Sequence, residues 1–427
     1  MAVSDAAHDA AHDSAHDAPQ RADLDKCVHC GLCLNACPTY RELHVEMDSP
    51  RGRIYQMVQV SNGAPITDAY IEHIDLCLAC RACETACPSG VKYGRLVEAA
   101  RADIAQRGPQ KSSILRTLVF EHLLPSRTLL KLAGYGMYVT QFLRLDKLAA
   151  LLPGKLREIT PLAPRVELPF FYKHVGQVFQ PEGPRKHRVA FLSGCIANLC
   201  FARLNEATVR VLQANGCEVT IPENQTCCGA LHVHAGLRDT ARRLARQNIK
   251  ALVDGGYDAI ITNAGGCGST LKEYNELLED DPEAYRFSSL VKDVNEFLAS
   301  IELNTRMGEI RATVTYQDSC HLAHGQRVRT APRQLLKQIP GLTLKEMRLS
   351  DACCGSAGIY NVLHTDISMS LLDKKMETVN ATKAERIVTA NPGCMLQLRA
   401  GVERHGHGQS VSHVVELLDE AYRAARR

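Results

Sequence analysis

The sequence has no tryptophan, few other aromatic residues and no long apolar run, and each shortage argues against a class of function. Phe, Tyr and Trp make up only 5% of the 427 residues, so the aromatic platforms on which bases stack are scarce. Lys and Arg number 50 against 47 Asp and Glu, so no basic field points to nucleic acid. No segment approaches the roughly eighteen uninterrupted apolar residues of a membrane-spanning helix. We therefore expect no nucleic-acid partner and no transmembrane segment.

Cysteine is the residue in excess, with 18 copies. The N-terminus lacks the basic stretch, apolar run and small-residue cleavage site of a secretory signal, so we expect a cytoplasmic protein. Because the cytoplasm is reducing, disulfides are disfavoured there. The cysteines are therefore expected to be metal ligands or redox groups, and their spacing decides which.

The distribution of cysteine divides the chain into five predicted stretches. Residues 1–20 repeat Ala-His-Asp three times and are expected to be a disordered tail. Eight cysteines fall within 21–110, and none within 111–185, which we interpret as a Leu-rich helical segment followed by a proline-rich linker. The other ten fall within 186–305 and 306–427, which we interpret as two repeats.

The first eight cysteines form two copies of C-x2-C-x2-C-x3-C-P, at 27–38 and 77–88. This motif is typical of bacterial two-cluster ferredoxins, in which three closely spaced cysteines bind one [4Fe–4S] cluster and the fourth binds the other. The rule assigns the first cluster to Cys27, Cys30, Cys33 and Cys87, and the second to Cys77, Cys80, Cys83 and Cys37. Two structural zinc sites are the alternative, but zinc does not require this register twice over. We expect this region to be a ferredoxin-like electron carrier.

The later cysteines follow a repeated pattern of Cys, Cys-Cys-Gly and Cys. Its landmarks recur at offsets of 125, 126 and 127 residues, which indicates a duplicated unit. The repeated positions are Cys195, Cys227, Cys228 and Cys267 in the first copy, and Cys320, Cys353, Cys354 and Cys394 in the second. Whether these cysteines bind a third iron–sulfur cluster is left open. The unrepeated Cys200 and Cys217 are expected to be ordinary buried residues.

Short apolar segments precede the cysteines and alternate with amphipathic helical patterns. HRVAFLSG, AIITNAGG, ATVTYQDS and RIVTANPG are predicted strands. Alternation of strand and helix predicts parallel sheets, with the cysteines beyond the carboxyl ends of the strands. The predicted fold is therefore α+β and α/β: a helical two-cluster ferredoxin-like domain followed by two tandem α/β cysteine-rich repeats.

Five segments together resemble a known family, the iron–sulfur subunits of glycolate oxidase (glycolate dehydrogenase). They are KCVHCGLCLNACPTY, MDSPRGRIYQM, CLACRACETACPSGVKYGRLVE, ACCGSAGIYNVLH and ERIVTANPGCMLQL. The resemblance implies two FAD-binding partner subunits that oxidise glycolate to glyoxylate. It also implies that electrons pass through this chain toward a quinone-type acceptor. No dinucleotide fingerprint is present, so FAD is expected only in the partners, and this chain is expected to supply no catalytic residue.

The Cys-Cys-Gly repeats also resemble the cysteine-rich domain of heterodisulfide reductases. An alternative function is therefore a heterodisulfide reductase-like, D-lactate or glycerol-3-phosphate dehydrogenase iron–sulfur subunit with a redox-active cluster in the repeats. In catalytic heterodisulfide reductase domains the last motif is C-x-x-C, but here Thr270 and Gln397 replace its second cysteine. This departure argues against disulfide reduction by this chain.

Two further segments permit two interpretations each. Arg51-Gly52-Arg53 either tunes a cluster or docks the flavoprotein, or is a solvated turn. Residues 112–157, rich in Leu with Arg and Lys, are expected to pack as a helical bundle. The alternative is peripheral association with an anionic membrane, at the inner face of the cell membrane.

Overall fold

The computed structural model describes residues 17–109, 114–145 and 160–426. The chain forms two compact units, the first made of Met1–Ile114 and Ala230–Ala241, the second of Leu115–Gly229 and Arg242–Arg427. Most of the predicted tail lies outside the described residues, but Asp17 is buried and accepts a hydrogen bond from Gln106 Nε2 at 2.8 Å. The predicted domain boundaries at 110, 185 and 305 stay predictions.

The regular elements described in the first unit are helices. Two of them begin at residues that favour a helix N-terminus. Ser49 and Thr67 are N-caps whose hydroxyls accept hydrogen bonds from Gly52 N and Tyr70 N, and Pro50 occupies the first turn after Ser49. The helices are Arg21–Leu24, Pro38–Leu43, Pro50–Ser61, Asp68–Asp75, Ala82–Thr85, Tyr93–Arg107 and Ala230–His234, with a 3₁₀ turn at Glu46–Asp48. They enclose a core that includes Leu24, Ile54, Met57, Ile74, Leu96 and Val97. The predicted helical ferredoxin-like region is confirmed.

The second unit contains two sheets of nearly the same topology. Its strands are β1 Val178–Phe179, β2 His187–Phe191, β3 Cys217–Thr220, β4 Ala259–Thr262, β5 Val291–Asp293, β6 Ala312–Tyr316, β7 Leu342–Leu344, β8 Arg386–Thr389 and β9 Ser410–His413. The first sheet has the order β1-β3-β2-β4-β5 and the second β7-β6-β8-β9. Every pairing is parallel except that of β1 with β3. The predicted strands β2, β4, β6 and β8 and the parallel sheets are confirmed.

The central strands are buried on both faces; in β4, for example, all four residues are buried. Helices therefore cover the faces of these sheets. The helices of the first repeat are Ala197–Cys200, Ala202–Ala214, Arg238–Leu252, Gly265–Lys272, Tyr274–Leu277, Pro282–Leu290 and Val294–Ser300. Those of the second are Ala331–Lys337, Tyr360–Leu363, Thr365–Ala381, Pro392–His405 and Val414–Ala424, with a π-helical turn at His321–Gly325. The shared order places the repeated cysteines in equivalent loops.

A separate helical stretch precedes the sheets. It consists of Ile114–Thr117, a π-helical turn at Leu118–Leu123 and the helix Arg127–Phe142. Short 3₁₀ turns follow at Thr160–Leu162 and Phe171–His174, and another lies at Val253–Gly255. In the part of the chain that the structure describes, no helix is long and apolar enough to cross a membrane.

Candidate metal centres

The two ferredoxin-type cysteine loops have the same unusual backbone. The residue before the second cysteine is left-handed in both, with φ of 54° at His29 and 50° at Ala79. The residue after it is also left-handed, with φ of 83° at Gly31 and 62° at Arg81. Such turns direct successive N–H groups into a concavity that favours anions, as at other iron–sulfur sites. Accordingly, Ala79 N donates to Cys77 Sγ at 3.4 Å.

Arg81 occupies its left-handed conformation without the freedom of glycine, which costs of order 1–3 kcal/mol. Its side chain compensates by donating two hydrogen bonds to the Glu84 carboxylate, each of 3.1 Å. The same carboxylate accepts from Gly94 N at 2.6 Å. These contacts connect the second cysteine loop to the start of the helix Tyr93–Arg107 and stabilise its shape.

Four cysteines from the two motifs line one hollow in the first unit. They are Cys37, Cys77, Cys80 and Cys83, each less than 9% exposed. Cys37 belongs to the first motif in sequence, yet it lies with three cysteines of the second. Burial raises the pKa of the Cys83 thiol well above its usual range, so a thiolate there requires bound positive charge. A hollow lined by four buried cysteines fits a cubane cluster.

Polar groups at the wall of this hollow point at the sulfur atoms. The fully buried Tyr93 donates from its hydroxyl to Cys77 Sγ at 3.7 Å. The hydroxyl of Thr39 lies 3.2 Å from Cys37 Sγ and accepts from Arg53 Nη1 at 3.1 Å. Arg53 is completely buried and lines the hollow. The interpretation of this arginine as part of a solvated turn is therefore wrong.

The other four cysteines lie in a more open setting. Cys30 is exposed, while Cys27, Cys33 and Cys87 are half-buried and pack against the same core as Cys77 and Cys83. The loop carbonyl of His29 accepts from Arg51 Nη1 at 3.0 Å, and Arg51 also binds Glu46 through Nε at 2.6 Å. Gly31 suits this position, because its backbone φ is 83° and a Cβ would lie 2.7 Å from Arg51 Nη1. Arg51 therefore supports the loop of the first site.

The repeated cysteines contact one another within each repeat. In the first, Cys195 Sγ lies 3.6 Å from Cys227 Sγ, and thiol interactions also connect Cys227 with Cys228 and Cys228 with Cys267. The thiol contact with Cys227, together with burial, raises the pKa of Cys195 well above its usual range. All four sulfur atoms are thus in one chain of contacts beyond the ends of β2, β3 and β4.

The second repeat separates its thiols into two contacts, Cys320 with Cys353 and Cys354 with Cys394. Gly355 permits this loop, because its φ is 89° and a Cβ would lie 2.4 Å from Ser368 O. Hydrogen bonds to its thiol from Cys354, Asn391 and Ser319 lower the pKa of Cys394 to about 7 despite burial. The unrepeated Cys200 and Cys217 lie outside both groups and are buried, as expected.

Sequence reasoning missed two residues beside these groups, Tyr93 and Lys375. Neither belongs to a cysteine motif, and each reaches its site only through the fold. A comparison of the two repeats position by position could have singled out Lys375, because the first repeat has Asn248 there.

Among the described residues, no three Cys, His, Asp or Glu side chains converge closely enough to hold a single metal ion.

Comparisons with known proteins match both parts of the chain. A family model described as a 4Fe-4S dicluster domain matches residues 23–91, and one described as a cysteine-rich domain matches 189–272 and 314–399. A protein named "Probable glycolate oxidase iron-sulfur subunit" from Bacillus subtilis (strain 168) is 44% identical over 418 residues, 93% of this chain and 94% of that protein. The chain belongs to the family of glycolate oxidase iron–sulfur subunits. The predicted family, the iron–sulfur character and the two [4Fe–4S] clusters are confirmed.

Other family relatives are more distant or shorter. The glycolate oxidase iron–sulfur subunit of Escherichia coli (strain K12) is 34% identical over 407 residues, 93% of this chain and 94% of that protein. Lactate utilization protein A of Shouchella clausii is 30% identical over 236 residues, 54% of this chain and 98% of that protein. The relatives that match nearly the whole chain at more than 30% identity therefore support glycolate oxidase over the lactate alternative.

Proposed function

We propose that this chain relays electrons within a glycolate oxidase complex. It accepts them from two FAD-binding partner subunits that oxidise glycolate to glyoxylate, and it passes them toward a quinone-type acceptor. The observation that carries the proposal is the hollow in which Cys37 of the first motif lies with Cys77, Cys80 and Cys83. A cysteine shared in this way between motifs is the arrangement of a two-cluster electron carrier.

The ligand sets follow from this arrangement. Cys37, Cys77, Cys80 and Cys83 would hold the second cluster, and Cys27, Cys30, Cys33 and Cys87 the first. When bound, the two clusters supply one-electron carriers in series. Cys33 and Cys37 are ligands of different clusters only four residues apart, so their Cα atoms lie at most about 14 Å apart. Because each motif supplies one cysteine to the cluster of the other motif, the two sites stay adjacent.

The chain's own residues give the two sites different tasks. Tyr93 O–H and Ala79 N–H stabilise negative charge on Cys77, and the buried wall excludes water from the second site. At the first site the exposed Cys30 is flanked by Val28 and Leu32, which are 69% and 60% exposed. An apolar edge beside an exposed ligand suits contact with a redox partner. The first site is therefore the proposed point of exchange with the flavoprotein.

A second surface supports approach to a membrane from the cytoplasm. The helix Arg127–Phe142 exposes one apolar face, formed by Leu132, Tyr135, Val139 and Phe142, of which Phe142 is 74% exposed. Residues 122–145 contain no Asp or Glu, while Arg127 and Lys131 lie on this helix. An apolar face with only cationic neighbours suits the surface of an anionic bilayer. The proposed location is peripheral, at the inner face of the cell membrane, where a quinone is accessible.

Replacing one ligand of each cluster in the assembled complex tests the relay. We expect Cys30→Ser and Cys80→Ser to lower glycolate-dependent quinone reduction by more than about 100-fold, since even residues that only support metal ligands contribute 10–100-fold. Anaerobic reduction of the partner's flavin by glycolate should persist at its normal rate. Cys217→Ala, which removes a buried thiol outside every site, is the matched control. Full quinone activity in both cluster variants would refute the relay.

A further inference from the structure

A cavity in the second unit lies at the start of the helix Arg127–Phe142. Leu124 and Arg127 line it from this part of the chain, and Tyr172 and Asn198 line it from other segments. Farther along, the same helix exposes the apolar face that is proposed to meet the membrane. One helix therefore contributes both to the cavity and to the proposed membrane surface.

Two cations of this helix lie beside the cavity without a carboxylate partner. Arg127 and Lys131 are one turn apart, and their charged groups lie 5.4 and 5.3 Å from the ring centroid of Tyr172. Among the described residues, no carboxylate lies within ion-pair distance of either side chain. No Asp or Glu lines the cavity, and residues 122–145 contain none. Two positive charges without a counter-charge predict an anionic ligand.

Carboxylates of neighbouring segments are paired with other cations. Glu206 lies 3.0 Å from Lys173 Nζ, and Glu121 lies 3.6 Å from Arg243 Nη2. Each of these carboxylates has a cation of its own. Neither supplies an excess negative charge to the two cations of the helix.

The wall of the cavity also contains a buried oxygen atom that lacks a donor. Asn198 is 2% exposed, and its amide nitrogen donates to Gly194 O. Its Oδ1 is buried and has no hydrogen-bond partner among the described residues. The neighbouring Gln225 does not supply the donor, because its Nε2 donates to Phe191 O and Pro222 O. Since buried polar atoms are nearly always bonded, a ligand that carries a donor as well as negative charge fits this cavity.

We propose that the cavity binds the headgroup of an anionic phospholipid that also carries a hydroxyl group, such as phosphatidylglycerol. Arg127 and Lys131 bind the phosphate oxygens, and the hydroxyl donates to Asn198 Oδ1. Leu130 and Val175, which also line the cavity, contact the apolar part next to the headgroup. The acyl chains then follow the apolar face of the helix into the bilayer. This assignment rests on the proposed peripheral location and adds the lipid that the surface selects.

The experiment measures how the purified full chain cosediments with vesicles of phosphatidylcholine, alone or mixed with phosphatidylglycerol. Wild type should bind the mixed vesicles at least about tenfold more tightly, since each basic side chain near an anionic surface contributes about fivefold. Arg127→Gln should remove at least about tenfold, because the phosphate loses a bidentate partner as well as a charge. Asn198→Asp, which places a carboxylate beside the phosphate, should also weaken binding.

A variant of equal charge and a soluble lipid sharpen the test. Arg144→Gln removes one charge at an exposed position beyond the far end of the same helix, so it should weaken binding by no more than about fivefold. Dihexanoyl phosphatidylglycerol, below its micelle concentration, should bind wild type in titration calorimetry and bind Arg127→Gln and Asn198→Asp more weakly. Inorganic phosphate should bind more weakly than this lipid. Circular dichroism and the ferredoxin-type EPR signals report folding in every variant.

The contrary results separate the cavity from the membrane location. Equal losses in Arg127→Gln and Arg144→Gln would show a diffuse attraction and overturn the headgroup site. Inorganic phosphate that binds as tightly as the soluble lipid would overturn the lipid assignment. Vesicle binding that Arg127→Gln and Asn198→Asp leave unchanged would keep the peripheral location and refute the site. Binding of the soluble lipid without binding to vesicles would keep the site and refute the location.

Discussion

The two ferredoxin-type sites are built from one loop conformation but lie in opposite surroundings. Both loops place left-handed residues around the second cysteine, so their N–H groups are arranged alike. Around the second site every cysteine is less than 9% exposed, whereas Cys30 of the first site is exposed. A shared motif therefore determines how the sulfur atoms are presented, and the residues outside the motif determine how each site meets water. This difference suits the first site to the exchange of electrons with partner subunits. It suits the second site to holding electrons within the chain.

Burial has an electrostatic consequence that this chain offsets. An added electron makes a cluster more negative, and a low-dielectric environment penalises that charge. At the second site Tyr93 and Ala79 donate hydrogen bonds to Cys77 Sγ, and the guanidinium of Arg53, paired with Asp48, lies in the wall of the hollow. The first site has solvent for the same purpose, together with Arg51 at its loop carbonyl. The buried site thus needs protein groups to stabilise the added negative charge, whereas the exposed site can use water.

The largest expected contrast between the sites is in their loss of iron. Because exposure governs attack on metal-bound sulfur, we expect an iron chelator under mild oxidation to remove the first cluster at least about tenfold faster than the second. EPR at successive times measures the loss, and Cys30→Ser and Cys80→Ser, each lacking one cluster, assign the signals. Equal rates for the two clusters would contradict the difference in burial.

Much of this organisation could be predicted because it depends on local spacing. The ligand motifs, the duplicated unit and the strands β2, β4, β6 and β8 each occupy a short segment with a clear period. The burial of Arg53 is harder to predict, because Arg51-Gly52-Arg53 is charged and resembles a surface turn. Its burial depends on Thr39, Asp48 and His73, which come from other helices.

The contacts that Tyr93 and Lys375 make could not be predicted from the sequence for a related reason. Tyr93 lies 16 residues from the sulfur atom that it contacts, and Lys375 lies 25 residues from the Ser350 carbonyl. Only the folded chain brings these pairs together. Long-range polar contacts of this kind leave no periodic pattern in a sequence, whereas buried apolar faces do.

A second effect is expected at the apolar edge of the first site. Val28→Asp combined with Leu32→Asp should weaken binding to the flavin subunits by about 10–100-fold, because burying such a side chain contributes about 1.5–3 kcal/mol and part of that is realised at an interface. Titration calorimetry measures the dissociation constant. Tyr285→Asp, at a tyrosine that is 53% exposed in the second unit, is the control. Unchanged affinity in the double variant, with the cluster intact by EPR, would place the flavoprotein elsewhere.

The smallest expected effect isolates one hydrogen bond at the buried site. Tyr93→Phe removes the donor to Cys77 Sγ, and a hydrogen bond to a ligand sulfur stabilises the reduced, more negative cluster. A bond worth about 0.5–1.5 kcal/mol corresponds to a one-electron shift of about 20–65 mV toward negative potential. Spectroelectrochemical titration should show this shift in the second cluster alone.

Tyr70→Phe is the matched control, because Tyr70 is buried in the same core and its hydroxyl has no hydrogen-bond partner among the described residues. Equal shifts in the two variants would attribute the effect to the core rather than to the sulfur contact. A shift of the first cluster by the same amount would show that the second site is not electrostatically separate from it.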